Sequence, residues 1–161
     1  MTVLTTSNTY IPFLCKQLEY TATPLAVCIV CAEPTGAPIA GVVYDCYNGG
    51  SIHAHIWIDP ERRPSREWFS VIFDYPFNQL NVKKIIGQVR SNNTDALKLD
   101  VHFGFVKEAE VLDYFESGES LQVYTLTREQ CRILNSPLWA RARNKVLRGT
   151  NGQEEQGTEG A

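Results

Sequence analysis

The alternation of apolar and polar positions divides the chain into short strand-like runs and a few helical ones. The densest stretch is 51–105. It opens with Ser-Ile-His-Ala-His-Ile-Trp-Ile-Asp at 51–59, a period of two that predicts a strand. His53, His55 and Trp57 then share one face, alternating with Ile52, Ile56 and Ile58. A Pro/Arg-rich turn follows at 60–66. From Ser65 onward, Trp68, Phe69, Val71, Ile72, Phe73, Tyr75, Phe77 and Leu80 predict a long apolar helix. Ser65 is its expected N-cap, Glu67 falls in the first turn, where negative charge is favoured, and Pro76 kinks it near the end. Residues 82–90 read as a strand, 93–103 as a helix, 105–114 as a strand and 121–127 as a last strand. Residues 128–134 either extend that strand or curl into a short helix.

Upstream, Tyr10, Phe13, Leu14, Gln17 and Leu18 give helical spacing over 9–20, with Pro12 in the first turn, where its missing N–H costs nothing. Residues 25–33 read as a strand, 34–38 as a turn and 39–47 as a strand, and Asn48-Gly49-Gly50 is a hairpin signal. Hairpins followed by strand–helix–strand–helix–strand–strand predict an α/β (α+β mixed) fold. Its centre is a mixed twisted sheet of about six to seven strands with helices on both faces. No internal repeat is present.

A length of 161 residues suits one domain with a proper core, and 43% apolar with 20% charged residues is ordinary for a globular protein. The expected organisation is a domain over 1–134, a basic extension over 135–148 and a disordered tail over 149–161. The tail carries Glu154, Glu155 and Glu159, and without it the chain has 15 basic and 15 acidic residues, so nothing demands a nucleic-acid partner. The extension holds Arg141, Arg143, Lys145 and Arg148 with no acid, and Leu138 and Trp139 give it an apolar side. It reads either as a solvated, partly helical tail or as a contact for an acidic protein, a nucleic acid or a second subunit, as in a homodimer. Five cysteines without a secretory signal suggest a reducing cytoplasm. Cys28 and Cys31 form a CxxC inside an apolar strand pattern, which turns the two thiols to opposite faces and suits neither a metal nor a redox pair. No metal site and no membrane span are expected.

Asn93-Thr-Asp-Ala96, running on to Gly104-Phe105, resembles the motif of the GNAT N-acetyltransferase superfamily, placed after its strand–turn–helix–strand. Residues 73–82, 39–45 and 127–132 resemble a subgroup of small GNAT proteins common in phages and proteobacteria. The resemblance covers roughly 10–134. It implies a GNAT fold in which the strands at 51–59 and 84–90 splay apart, so that the backbone of Trp57, Ile58 and Asp59 bonds the pantetheine arm of acetyl-CoA as a pseudo-strand would. The pyrophosphate would take the helix N-terminus at Ser65, with Arg62, Arg63 and Arg66 as cationic partners, and Asn93 caps its helix or touches the pantetheine arm. The family's turn glycines are absent here, and Pro64 removes a donor.

The resemblance further implies an acyltransferase moving acetyl from acetyl-CoA to a primary amine, in the cytoplasm, which would be host cytoplasm if a phage encodes it. The alternative is a GNAT-fold binding or regulatory protein that has lost catalysis and acts on a host or phage macromolecule. For the base, His55 is preferred over His53, the other reading being that both imidazoles are structural and hydrogen-bonded. The family's acid, a tyrosine seven residues after the motif asparagine, is replaced by Asp100, which at its ordinary pKa would be ionised and a poor acid. Tyr114 and Tyr124 are the replacement candidates.

Overall fold

A computed structural model of the chain describes residues 1–154, with side chains to residue 149. Seven strands form one sheet: β1 (Val3–Thr5), β2 (Val27–Ala32), β3 (Pro38–Asp45), β4 (Ser51–Ile58), β5 (Lys84–Arg90), β6 (Val106–Val111) and β7 (Leu121–Leu126). They lie in the order β1-β2-β3-β4-β5-β7-β6. Every neighbouring pair is antiparallel except β4 and β5, which are parallel. The mixed α/β architecture read from the element order is the one found. β1 was not anticipated, because three residues are too few for an alternation to show.

Four α-helices cover the sheet: α1 (Ile11–Leu18), α2 (Arg66–Asp74), α3 (Thr94–Phe103) and α4 (Pro137–Glu154). α1 sits alone on one face, where Leu14 packs with Ala26, Cys28, Val30 and Val43. Gly41 permits this close approach, since a Cβ there would lie 2.5 Å from Leu14 Cδ2. The larger core fills the other face, with Trp68, Ile72, Phe73 and Phe77 beneath Ile52, Ile85, Phe103 and Leu126. Cys28 and Cys31 fall in these two separate clusters, as strand alternation requires. The tryptophan at 68 is fully buried and its indole N–H donates to the Ile29 carbonyl at 3.1 Å.

Pro76 does not simply kink α2. The helix widens into a five-residue π-helical turn, Tyr75–Gln79, which absorbs the missing N–H. Arg128 holds that turn by bonding the Phe77 carbonyl and Asn78. Residues 128–134 accordingly form turns against it, neither prolonging β7 nor making a helix.

The basic extension is not a solvated tail. α4 leans on α2, with Trp139 edge-on to Phe69 at 5.8 Å and its carbonyl accepting from Ser70 Oγ at 3.2 Å. Arg143 Nε lies 3.7 Å from Asp74, and Lys145 Nζ lies 3.1 Å from Glu67. Two of the four cations expected to be free for an acidic partner are thus engaged within the chain; Arg141 and Arg148 stay exposed. The helix continues to Glu154, into the segment expected to be disordered, and residues 155–161 lie outside those described. Among the described residues no helix is long and apolar enough to cross a membrane.

Gly104 closes α3 in the left-handed region, at φ 104°, with its N–H on Asp100 and Val101 carbonyls. A Cβ there would stand 2.1 Å from the Gln130 carbonyl oxygen, which is backbone and has no easy way to yield. Gly104→Ala is expected to cost about 3 kcal/mol, combining left-handed strain with a clash. Denaturant unfolding of the variant checks this, and an unchanged midpoint would refute the packing described.

Candidate active site

β4 and β5 pair over only three residues, Ser51↔Lys84, Ile52↔Ile85 and His53↔Ile86, and then part. β4 continues along β3 to Ile58, and β5 continues along β7 to Arg90. The fork opens a cavity of about 780 Å³. Ala54–Ile58 form one wall, Gly87–Arg90 the other, the end of α1 closes it on one face of the sheet and α3 on the other.

The parting leaves backbone groups unpaired, and register decides which. The Asp59 N–H donates to the Ile39 carbonyl at 2.8 Å. Because hydrogen-bonded and open positions alternate along an antiparallel pair, Trp57 also faces β3, whereas Ile56 and Ile58, beyond the last β4–β5 pairing, turn their N–H and C=O groups into the fork. The Lys84 N–H bond to the Gly50 carbonyl has the same parity. Of the three residues expected to offer free backbone, Ile58 does; Trp57 and Asp59 do not. The Trp57 side chain packs edge-on against Phe13 of α1 at 5.2 Å.

His53, His55 and Trp57 do share the α1 face. His55 is 9% exposed and its ring stacks on Tyr20 at 3.8 Å and 24°. Its Nε2 is buried and, among the described residues, without a hydrogen-bond partner, so this is not a satisfied structural imidazole. Such an atom costs about 1–3 kcal/mol unless a ligand or water meets it. Burial, helped by neighbouring His53, pulls the His55 pKa from 6.5 to about 4, so the ring is neutral at physiological pH. His53 is half-buried, its pKa also lowered by burial, with ring centroids 6.4 Å from His55.

Tyr20 is held over His55 by Asp45. The phenol donates to Asp45 Oδ2 at 2.8 Å, and the same carboxylate accepts from the Thr23 N–H at 2.7 Å, the Thr23 hydroxyl at 2.5 Å and the Cys46 N–H at 2.9 Å. Burial opposes ionisation of Asp45, but these four donors outweigh it and hold its pKa at about 2. Burial and the Asp45 bond keep the Tyr20 phenol protonated. Sequence reasoning missed Tyr20 because it lies past the end of α1 and no periodicity marks it.

Ser65 caps α2 as expected, accepting from the Trp68 N–H at 3.2 Å. The arginines separate. Arg62 is spent inside the chain, its fork on Asp59 Oδ2 at 2.9 and 2.6 Å, Glu33 Oε1 at 3.0 Å and the Pro38 carbonyl at 2.9 Å. It pins the turn to the β2–β3 hairpin, with four of its five N–H donors engaged there. Arg63 and Arg66 are exposed beside the α2 N-terminus. Asn93 caps α3 by accepting from the Ala96 N–H at 3.2 Å and also lines the cavity.

Tyr124 does not line the cavity. It is buried in the main core and its hydroxyl bonds Gln122 Oε1 at 3.3 Å. Tyr114 lines the cavity but is 55% exposed. Asp100 is the group in that region that meets the cavity while buried, at 9% exposure. Burial raises its pKa to about 7, so the expectation of a fully ionised carboxylate fails for a desolvated one.

No family model and no curated protein matches this chain. Solved structures do. The chain is similar to a mutant form of the spermidine/spermine N-acetyltransferase SpeG from Vibrio cholerae, at 18% identity and TM-score 0.63, over 80% of this chain and 96% of that one. A dodecameric structure of the Vibrio cholerae spermidine N-acetyltransferase matches at 18% identity and TM-score 0.63, over 80% and 94%. A provisionally assigned phosphinothricin N-acetyltransferase matches at 13% identity and TM-score 0.61, over 79% and 98%. The chain therefore has the GNAT acetyltransferase fold.

The buried histidine makes a measurable mark on stability. His55 binds a proton less readily folded than unfolded, so its own contribution to stability is lost as pH falls from 6.5 through 4, by about 3 kcal/mol, while the buried Asp100, with its raised pKa, works in the opposite sense over the same range. The readout is therefore the difference between wild type and His55→Gln, which should shift by that amount, against the wild type, as pH falls from 6.5 to 4. Denaturant midpoints at several pH values would show it; a wild-type-to-variant difference that stays constant with pH would mean that His55 does not titrate there.

Proposed function

We propose that the protein is an N-acetyltransferase that moves acetyl from acetyl-CoA to a primary amine. The observation that carries this is the fork between β4 and β5 with an unpartnered, buried His55 Nε2 beside it. The acetyltransferase fold of the neighbours supports the reading. The cavity and its free Ile56 and Ile58 backbone groups suit an extended amide-bearing arm, which would lie between β4 and β5 as an added strand. The fit at the phosphate end is leaner than in the family's usual turn. There is no glycine, and Glu67 in the first turn of α2 is already held by Lys145. The charge for a pyrophosphate would come from Arg63, Arg66 and the N-terminus of α2.

Transfer needs the amine to lose a proton as it attacks the thioester carbonyl. In this reading His55 takes that proton. Its depressed pKa keeps it neutral from about pH 4 upward, so it is available as an acceptor across the physiological range, although a weak base. Tyr20, stacked on the ring, fixes its orientation and covers it on the α1 side; a shift of the Tyr20 segment, or a bridging water, gives the amine access. His53 is the less favoured second imidazole, nearer the paired base of the fork. Spermidine, the acceptor named for the Vibrio cholerae neighbours, is the first amine to try.

Calorimetry with acetyl-CoA and a thiol-release assay on spermidine and a lysine peptide test the proposal. Binding in the micromolar range is expected, with turnover, and His55→Gln should lower kcat about 100-fold while leaving acetyl-CoA affinity near wild type. No binding at millimolar acetyl-CoA would end the proposal, and binding without turnover of any amine would favour a scaffold that has lost catalysis. Charge reversal at the phosphate end, Arg66→Glu, should raise KM for acetyl-CoA about tenfold, whereas an unchanged KM would place the pyrophosphate elsewhere.

A further inference from the structure

The mechanism above gives one proton of the attacking amine to His55 and leaves the other N–H of a primary amine without a partner. Strand alternation and register place one. Along β5, Ile85 packs in the main core, a Cβ on Gly87 would meet Asp100 and Phe105, and Val89 is buried, so these three turn toward α3. Ile86, Gln88 and Arg90 therefore turn to the α1 face. Arg90 bears this out, lying 3.6 Å from Glu19, the residue that follows α1. His55 is on the same face of β4, beneath Tyr20. Because His53 pairs with Ile86 in parallel, His55 and Gln88 stand level, each two residues past the last pair. Paired strands lie about 4.8 Å apart. Here they have begun to part, so the imidazole and the amide occupy opposite lips of a wider gap.

The gap is roofed on one side only. The α1 cluster draws its residues from β2, β3 and β4, and among the described residues none of β5 belongs to it. Gln88 is exposed and lines the cavity, whereas Gly87 and Val89 beside it are buried. Tyr20 covers the face of the His55 ring, but the Nε2 lone pair lies in the ring plane. The approach over β5 ends at Arg90, which is held by Glu19 and lies 3.8 Å over the Phe115 ring. Gln88 therefore offers a neutral hydrogen-bonding group on the open side of the cavity, level with the base.

We propose that Gln88 binds the acceptor amine, its side-chain carbonyl taking a hydrogen bond from the attacking nitrogen while that nitrogen is held against His55, directly or through one water. The step rests on the acetyltransferase reading. A neutral primary amine has two N–H groups and one lone pair. The lone pair bonds the thioester carbonyl carbon, one proton passes to His55, and the remaining N–H donates to Gln88 Oε1. The carbon–sulfur bond breaks with its electron pair on sulfur, which takes a proton from solvent and leaves as free CoA thiol. Solvent removes the proton from His55. A secondary amine has a single N–H, and once His55 takes it Gln88 is left unpaired. An unpaired polar group in the closed complex is costly, so the pair of residues selects primary over secondary amines.

Gln88→Leu and Gln88→Met remove the acceptor oxygen at similar length, and Gln88→Glu keeps it as the rescue. Thermal unfolding first establishes which variants fold. The substrates are whichever of spermidine or a lysine peptide the wild type acetylates, and the same compound methylated once on that nitrogen. Wild type should favour the primary amine by about tenfold or more in kcat/KM. Gln88→Leu and Gln88→Met should lose about tenfold on the primary amine and stay within about threefold on the methylated one, while acetyl-CoA affinity by calorimetry stays within about threefold. Gln88→Glu should retain the preference. Acceptor-less variants within threefold of wild type on the primary amine, or losing equally on both amines, overturn the role of Gln88 and leave the acetyltransferase reading standing. Failure of the wild type to bind acetyl-CoA, or to release thiol with either amine, overturns both.

Discussion

The structure depends on a failure of pairing. Among the described residues β4 and β5 are the sole parallel neighbours in the sheet, and they hold each other for three residues before parting. A sheet interior cannot leave backbone groups bare at no cost, because each unmet N–H or C=O in a dry site costs as much as a lost hydrogen bond. Here the cost is contained by strong pairing on the outer side of each strand, β3 along β4 and β7 along β5. The gap persists because its walls are held from outside. Its shape is the one an added extended strand would fill.

The surrounding core explains how the walls are kept apart. α2 crosses from β4 to β5 and packs Trp68, Ile72 and Phe73 with Ile29, Ile52 and Ile85, while α3 and the residues just after it add Phe103 and Phe105 to the same core. On the opposite face α1 is brought close by Gly41, so that the chain leaving the helix at Glu19, which has φ 50°, lays Tyr20 on His55. Asp45 then fixes Tyr20 and Thr23 through one ionised carboxylate with four donors. His55 Nε2, buried and without a partner among the described residues, and the buried Asp100 carboxyl both line the slot. Their shifts follow from burial: desolvation pushes an imidazole down and a carboxyl up.

Much of the fold was legible in the sequence. Periodicity marked six of the seven strands and the cores of α1, α2 and α3, and the spacing of Ser65 and Asn93 marked two caps. α4 was not legible, because its basic face looked solvated; only the positions of Asp74, Glu67 and Phe69 on α2 show what it packs against. Alternation along β4 placed His53 and His55 on one face. It could not say which backbone groups of β4 were free, since that depends on register with β3. Nor could it separate the arginines: Arg62 is committed to Asp59 and Glu33, and Glu33 lies on the distant β2–β3 turn. Asp100 was misjudged for the same reason. Its ordinary pKa is a property of the residue in water, and its folded one is a property of the slot.

The claim at the centre of this account is that the fork receives the acetyl donor. A crystal structure of the protein grown with acetyl-CoA tests it most directly. The account predicts density for an extended arm between β4 and β5, bonded to the Ile56 and Ile58 backbone, with its thioester at the apex between His55 and Asp100 and its phosphates by Arg63 and Arg66. Density for the ligand on another surface, with the fork filled only by water, would contradict it.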